Sequence, residues 1–225
     1  MSNYLFDQEK AKKELLKFFK KEKTNLNSFG NKVNQTFEAY TLIKTVEWFK
    51  DNGWSIRIIN PKINGSKKFN LKFSTRGAPS KYSHFICDKD GKRCQIRHQL
   101  RVTTRAYKEK NKHDSNICCD IVIMDDVDLN DYSTDTALPN VNLISFGEVK
   151  HMSAFAELVA GFIGMVYELQ PDRLKKIRTK KFITNDLISP YMNVSGYLYK
   201  TAKGLNETIE KRKYDIDIYS HERPL

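Results

Sequence analysis

Long apolar runs are missing from this chain. No stretch approaches the roughly 20 consecutive apolar residues that a membrane-crossing helix requires, so no membrane partner is expected. The motifs of several enzyme classes are missing as well: there is no GxxxxGK(S/T) phosphate loop, no HExxH, no GxSxG elbow and no GxGxxG fingerprint. ATP hydrolysis, zinc proteolysis, esterase chemistry and dinucleotide binding lose support accordingly. Cysteines number only 4, and Cys87, Cys94, Cys118 and Cys119 lack the CxxC spacing of a zinc knuckle. Residues 1 to 20 read as a charged helix and not as a signal peptide, so reduced thiols in a cytoplasmic protein are expected. Internal repeats and low-complexity segments are absent.

Acidic residues are in deficit: 27 Asp and Glu face 39 Lys and Arg, a formal net charge of +12. Such an excess points to a polyanionic partner, nucleic acid first. The bases recur at Lys10 to Lys23, Lys62 to Lys72, Arg93 to Lys112 and Arg173 to Lys181, so folding can gather them into one surface. A chain of 225 residues supports one ordinary domain with a sizeable core. The expected organisation is a basic helical arm over residues 1–30 and a single domain over 31–225.

Periodicity predicts a helix over residues 7 to 23, with Leu15, Leu16, Phe18 and Phe19 among lysines, and a second from about Val33 to Asn52, closed by Asn52-Gly53. Trp54 to Ile59 reads as a strand. Tyr82 to Cys87 and Lys92 to Thr104 read as a hairpin around Asp88-Lys89-Asp90-Gly91. In its second arm Ile96, His98, Leu100 and Val102 should face the core, leaving Arg97, Gln99 and Arg101 on a basic outer face. Ile117 to Met124 is apolar on both faces and should be a central strand. After a long acidic loop, Val141 to Val149 forms the next strand. Ser153 can cap a helix from Ala154 to Leu169, in which Gly161 and Gly164 allow close approach of a neighbour. A strand at Tyr191 to Tyr199, a helix at Thr201 to Lys213 and an edge strand at Tyr214 to Tyr219 complete the order. The expected fold class is α/β, a mixed central β-sheet flanked by helices.

The stretch SFGEVK, Ser145 to Lys150, puts two opposite charges where a buried strand should be apolar. Glu148 and Lys150 share a face by alternation, and pairing with the preceding strand brings Asp120 near Glu148. Two carboxylates this close repel unless a cation lies between them, and hard oxygen ligands suit Mg²⁺ or Mn²⁺. Two carboxylates, a divalent ion and a lysine are the equipment of phosphodiester hydrolysis.

Asp120 followed by Glu148-Val149-Lys150, each on one of two adjacent strands, resembles the signature of the PD-(D/E)XK nuclease superfamily. Cys119 stands where that motif usually has proline. The resemblance implies a restriction-endonuclease-like sandwich and a metal-dependent nuclease, with DNA the expected substrate and a restriction, repair, mobile-element or phage-defence role. It implies Asp120 and Glu148 as metal ligands and Lys150 as the group assisting the attacking water. Glu38, on the first core helix, supports the metal in the manner of members that carry a glutamate there. Glu47, near the far end of that helix, is less well placed.

Arg76, Arg97, Arg101, Arg173, Lys175, Lys176 and Arg178 are the candidate nucleic-acid contacts. His98 is expected to be an inward, satisfied core histidine, and His151 an exposed or core-edge residue pointing away from Lys150. A homodimer or a partner subunit is expected for double-strand cutting. The competing reading is a non-catalytic nucleic-acid-binding or assembly protein on the same fold, its charges kept as a structural network.

Overall fold

The structure, a computed structural model, describes residues 6–61, 68–105, 115–175 and 187–225. Among these residues four α-helices flank a seven-stranded mixed sheet. Helix α1 (Gln8–Lys21) begins where the Asp7 carboxylate accepts from the Lys10 N–H, 2.9 Å, which satisfies one of the free amides of the first turn. Its apolar stripe of Ala11, Leu15, Phe18 and Phe19 is buried, while Leu16 turns outward. Helix α2 (Val33–Asp51) starts with the Gln35 side chain accepting from the Asn31 N–H, 2.6 Å. It ends at Asn52, after which Gly53 takes a φ of +83° that costs glycine no strain.

The sheet runs β2 (Ser55–Ile59), β4 (His84–Lys89), β5 (Lys92–Thr103), β6 (Asn116–Asp125), β7 (Leu143–Lys150), β8 (Tyr191–Val194) and β9 (Asp217–Tyr219). Pairing is antiparallel from β2 through β7 and parallel from β7 to β9. The β4/β5 hairpin turns on Asp90 and Gly91, both at positive φ, as a two-residue turn matched to strand twist requires. The parallel β7/β8 step is made by helix α3 (Ala156–Leu169), and helix α4 (Lys200–Arg212) connects β8 to β9. A pair too short to be read from the sequence, β1 (Asn25–Leu26) with β3 (Lys68–Phe69), lies outside this sheet.

Two apolar layers result. One joins α1 and α2 to Phe85, Ile96, Ile121 and Ile123; the other joins α3 and α4 to Leu100, Val122, Met124 and Phe146. The acidic loop after β6 is pinned to the second layer by Leu129 and Leu138. No helix among the described residues is long and apolar enough to cross a membrane.

Several local expectations are corrected. Ile96 and Leu100 do not share a face: they belong to opposite layers, and the alternation breaks at Gln99, whose φ is +52°. Cys119 and Ile121 on β6 likewise fall in opposite layers, so both strands lose their pleat at the same level. Ser153 does not cap α3. The N-cap is Phe155, and the Ser153 hydroxyl instead accepts from the Tyr197 N–H, 3.2 Å. Gly161 and Gly164 face open space and permit no close packing.

The glycine that does permit it is Gly147. A Cβ there would lie 2.4 Å from the ring of Tyr191, a fully buried side chain whose hydroxyl hydrogen-bonds Thr45 on α2. Gly147→Ala should therefore destabilise the fold by about 1–3 kcal/mol through overpacking. Gly161→Ala, on an exposed helical position, should stabilise it by about 0.5–1 kcal/mol. Urea denaturation of both variants checks the pair; equal effects would contradict the packing role of Gly147.

Candidate active site

The polar centre lies where β6 and β7 part. Their ladder pairs Ile121 with Gly147, and Asp120 and Glu148 are the next residues along the two strands. There the Asp120 carboxylate takes the place of a ladder partner: its Oδ2 accepts from the Val149 N–H at 2.9 Å. Lys150 Nζ lies 2.5 Å from Glu148 Oε1 and 3.4 Å from Asp120 Oδ2, bridging the two acids. Both carboxylate side chains are only 13% exposed, against 37% for the lysine. The three residues singled out in the sequence are thus brought together.

Glu38 joins them indirectly. Its Oε2 accepts from Gln99 Nε2 at 2.9 Å, and the same amide nitrogen lies 3.5 Å from Asp120 Oδ1. The β5/β6 ladder, with His98 opposite Ile121 and Leu100 opposite Cys119, sets Gln99 abreast of Asp120. One amide group therefore spans two carboxylates on different elements. Nothing in the sequence pattern marks Gln99 for this, because the signal is its left-handed backbone, a conformation that glutamine rarely adopts and that clusters at functional sites.

Electrostatics follow from the burial of two acids that share one partly exposed ammonium. Burial raises the Asp120 pKa, opposed by Lys150 and the Val149 N–H and reinforced by Glu38. Burial and then the charge of Asp120 push Glu148 up to about 7, against the pull of Lys150. For Lys150 burial acts to lower the pKa, but the two carboxylates outweigh it and the net shift is upward. The lysine is an ammonium at neutral pH.

The remaining predicted residues divide. Arg76 is exposed on the loop before β4, and Lys175 is exposed and paired with Asp172 at 2.5 Å. Arg97 is not on a solvated face: it is 8% exposed, with Nε donating to Gln95 Oε1 at 2.7 Å and burial lowering its pKa to about 10. Arg101 is half-buried, Nη1 donating to Asn116 Oδ1 at 2.9 Å. Arg173 is bound by an ion pair to Asp215 and donates to the Ile144 carbonyl, 3.3 Å, tying the segment after α3 to the sheet. Lys176 and Arg178 lie outside the described residues. His98 is inward, as expected, but not satisfied: among the described residues neither ring nitrogen has a hydrogen-bond partner, and Nε2 lies 3.4 Å from Glu38 Oε2. His151 is half-buried, hydrogen-bonded to Ser195 Oγ at 2.8 Å and packed against Phe6.

No family model, no curated protein and no solved structure matches the chain.

The raised pKa of Glu148 makes its charge a liability to the fold. A folded carboxyl that keeps its proton to about 7, against 4.5 for the ordinary group, stabilises the folded state fully below about 4.5 and loses that contribution as pH rises through 7. Glu148→Gln, which cannot ionise, should escape the loss. In EDTA, its Tm relative to the wild type should therefore rise between about pH 5 and pH 8. A pH-independent difference across thermal melts would contradict the electrostatic reading.

Proposed function

We propose that this protein is a metal-dependent nuclease, an Mg²⁺- or Mn²⁺-requiring enzyme that hydrolyses phosphodiester bonds, with DNA as its substrate. The observation that carries the reading is the convergence of Asp120, Glu148 and Lys150 on two adjacent strands, with both acids buried. The order in which their elements occur supports it: the antiparallel meander β5, β6, β7, then helix α3, then the parallel strand β8. That order is in keeping with the restriction-endonuclease-like fold implied by the resemblance to the PD-(D/E)XK superfamily. A cytoplasmic setting and a dimer or partner subunit accompany the proposal.

The donor set fits a small hard cation. Asp120 and Glu148 present oxygen only, and Mg²⁺ commonly needs no more than one or two carboxylates, completing its shell with waters and phosphate oxygens. Burial raises the pKa of both acids, and Asp120 raises that of Glu148 further, so a cation between them would relieve a cost that the fold otherwise carries. Asp120 and Glu148 would hold the ion, with Glu38 oriented from behind by Gln99. When bound, such an ion polarises the phosphodiester and acidifies a coordinated water.

The chain's own residues have separable tasks. The Val149 N–H and Gln99 hold the two oxygens of Asp120 in fixed directions. Lys150, its pKa raised, is a poor proton acceptor near neutrality, so its role is to orient the incoming water and offset charge on the phosphate in the transition state.

A second reading, a nucleic-acid-binding protein without catalysis, has its own observation. Lys150 already bridges both acids, and among the described residues no group of three or more His, Cys, Asp and Glu side chains is arranged to hold a metal. The two readings part in one assay: incubation of supercoiled DNA, linear DNA and single-stranded RNA with wild type and Lys150→Ala, each in Mg²⁺, Mn²⁺ or EDTA. The nuclease reading expects metal-dependent cutting of DNA that falls by about 10²-fold or more in the variant. Cutting in EDTA, or undiminished cutting by the variant, would refute it. Salt-sensitive binding with no cutting by either protein would favour the second reading.

A further inference from the structure

Cations without counter-ions are rarer inside proteins than paired ones, because burying an unpaired charge is costly. Two occur beside the candidate active site. Lys72, on the segment between β3 and β4, is 3% exposed as a residue and forms no ion pair among the described residues; its Nζ lies 5.9 Å from the centroid of the Tyr82 ring. Arg101 on β5 also forms no ion pair among the described residues. Its Nη1 is spent on Asn116, and its Nε is buried with no hydrogen-bond partner.

The two belong to one locality that adjoins the acids. Arg101 stands opposite Cys118 in the β5/β6 ladder, two residues along β6 from Asp120. The Cys118 thiol lies within electrostatic reach of Lys72, Arg101, Asp120 and Glu148 together. Burial first, and Arg101 as well, act to lower the Lys72 pKa. The loop over this corner is built to pass closely: Gly77, at φ +109°, lies where a Cβ would come 2.6 Å from the Tyr82 hydroxyl. Two cations thus lie on the Cys118 side of Asp120, neither of them in an ion pair among the described residues.

We propose that Lys72 and Arg101 form a phosphate-binding subsite for the nucleic-acid backbone, taking a phosphate neighbouring the one presented to Asp120 and Glu148. The inference rests on the nucleic-acid reading of the same site but not on catalysis or on a metal. A polyanion supplies a counter-charge that the described residues do not: the Lys72 ammonium and the half-buried Arg101 guanidinium form no ion pair among them, and a backbone phosphate offers acceptor oxygens at each step. It also accounts for a buried lysine where an apolar residue of similar volume would fold better.

The test measures binding of a short fluorescent DNA oligonucleotide to the full chain in EDTA across a salt series, for wild type, Lys72→Met, Arg101→Met, Lys72→Arg and the exposed control Lys211→Met. The two charge-removing variants, Lys72→Met and Arg101→Met, should bind about tenfold more weakly. Their slope of log affinity against log salt should become shallower by about 1. Lys72→Arg should retain the wild-type slope and Lys211→Met should leave it unchanged. The Tm of Lys72→Met should equal or exceed that of wild type, because an unpaired buried charge has been removed. Wild-type binding by Lys72→Met and Arg101→Met would overturn the subsite while leaving the nuclease reading intact. A fall in Tm for Lys72→Met with unchanged slope would assign the lysine to structure alone. No binding by the wild type would overturn both the subsite and the nucleic-acid reading.

Discussion

Two buried carboxylates facing one ammonium are an unbalanced arrangement, and much of the architecture near them serves to hold it in place. Asp120 and Glu148 meet where the β6/β7 ladder ends, and Lys150 bridges them. Burial raises the pKa of both acids, and the charge of Asp120 adds to the rise at Glu148. A fold selected for stability alone gains nothing from keeping both acids, since an apolar replacement of similar volume is often neutral or better. On the proposed function, the arrangement is the resting condition of a site that receives a cation and a polyanion.

The supports reach into all layers of the molecule. Gly147 leaves room for the Tyr191 ring, and the Tyr191 hydroxyl reaches Thr45, so β7, β8 and α2 are registered against one another beside Glu148. Asn193 on β8 donates to Thr41 on the same helix, 2.9 Å, one further turn toward Glu38. Gln99 then carries the connection from Glu38 to Asp120. Helix α2 is thereby held to the sheet by polar contacts at several levels, and side-chain positions are fixed by packed elements more tightly than loops would fix them.

Elements governed by local rules were legible in the sequence. Asp90-Gly91 and Asn52-Gly53 ended a strand and a helix where turn and cap chemistry places them. SFGEVK stood out because charge in an apolar strand violates the pattern of its neighbours, and Asp120 did so in β6. What was not legible depends on tertiary context. The left-handed conformation of Gln99 has no sequence cue, so the face change along β5 went unseen; Arg97, before that break, was read as solvated but is buried, and its partner Gln95 is bound by Asp126 and the Val127 carbonyl of the acidic loop. Ser153 carries the chemistry of a cap but is engaged by Tyr197. Gly161 and Gly164 resemble a packing motif, yet they sit on the outer side of α3, and only the three-dimensional arrangement distinguishes them from Gly147. A lysine such as Lys72 in a basic run gives no hint that it is buried.

The claim on which the rest turns is that the Asp120 and Glu148 pair exists to receive a divalent cation. It is tested most directly by thermal unfolding of the chain titrated with Mn²⁺ in the absence of any nucleic acid, wild type beside Asp120→Asn. A cation held by both acids binds the folded state alone, so the wild-type Tm should rise saturably with Mn²⁺ and the variant's should not. A wild-type Tm indifferent to Mn²⁺, or an equal rise in both proteins, would contradict it and leave the charges as a structural network.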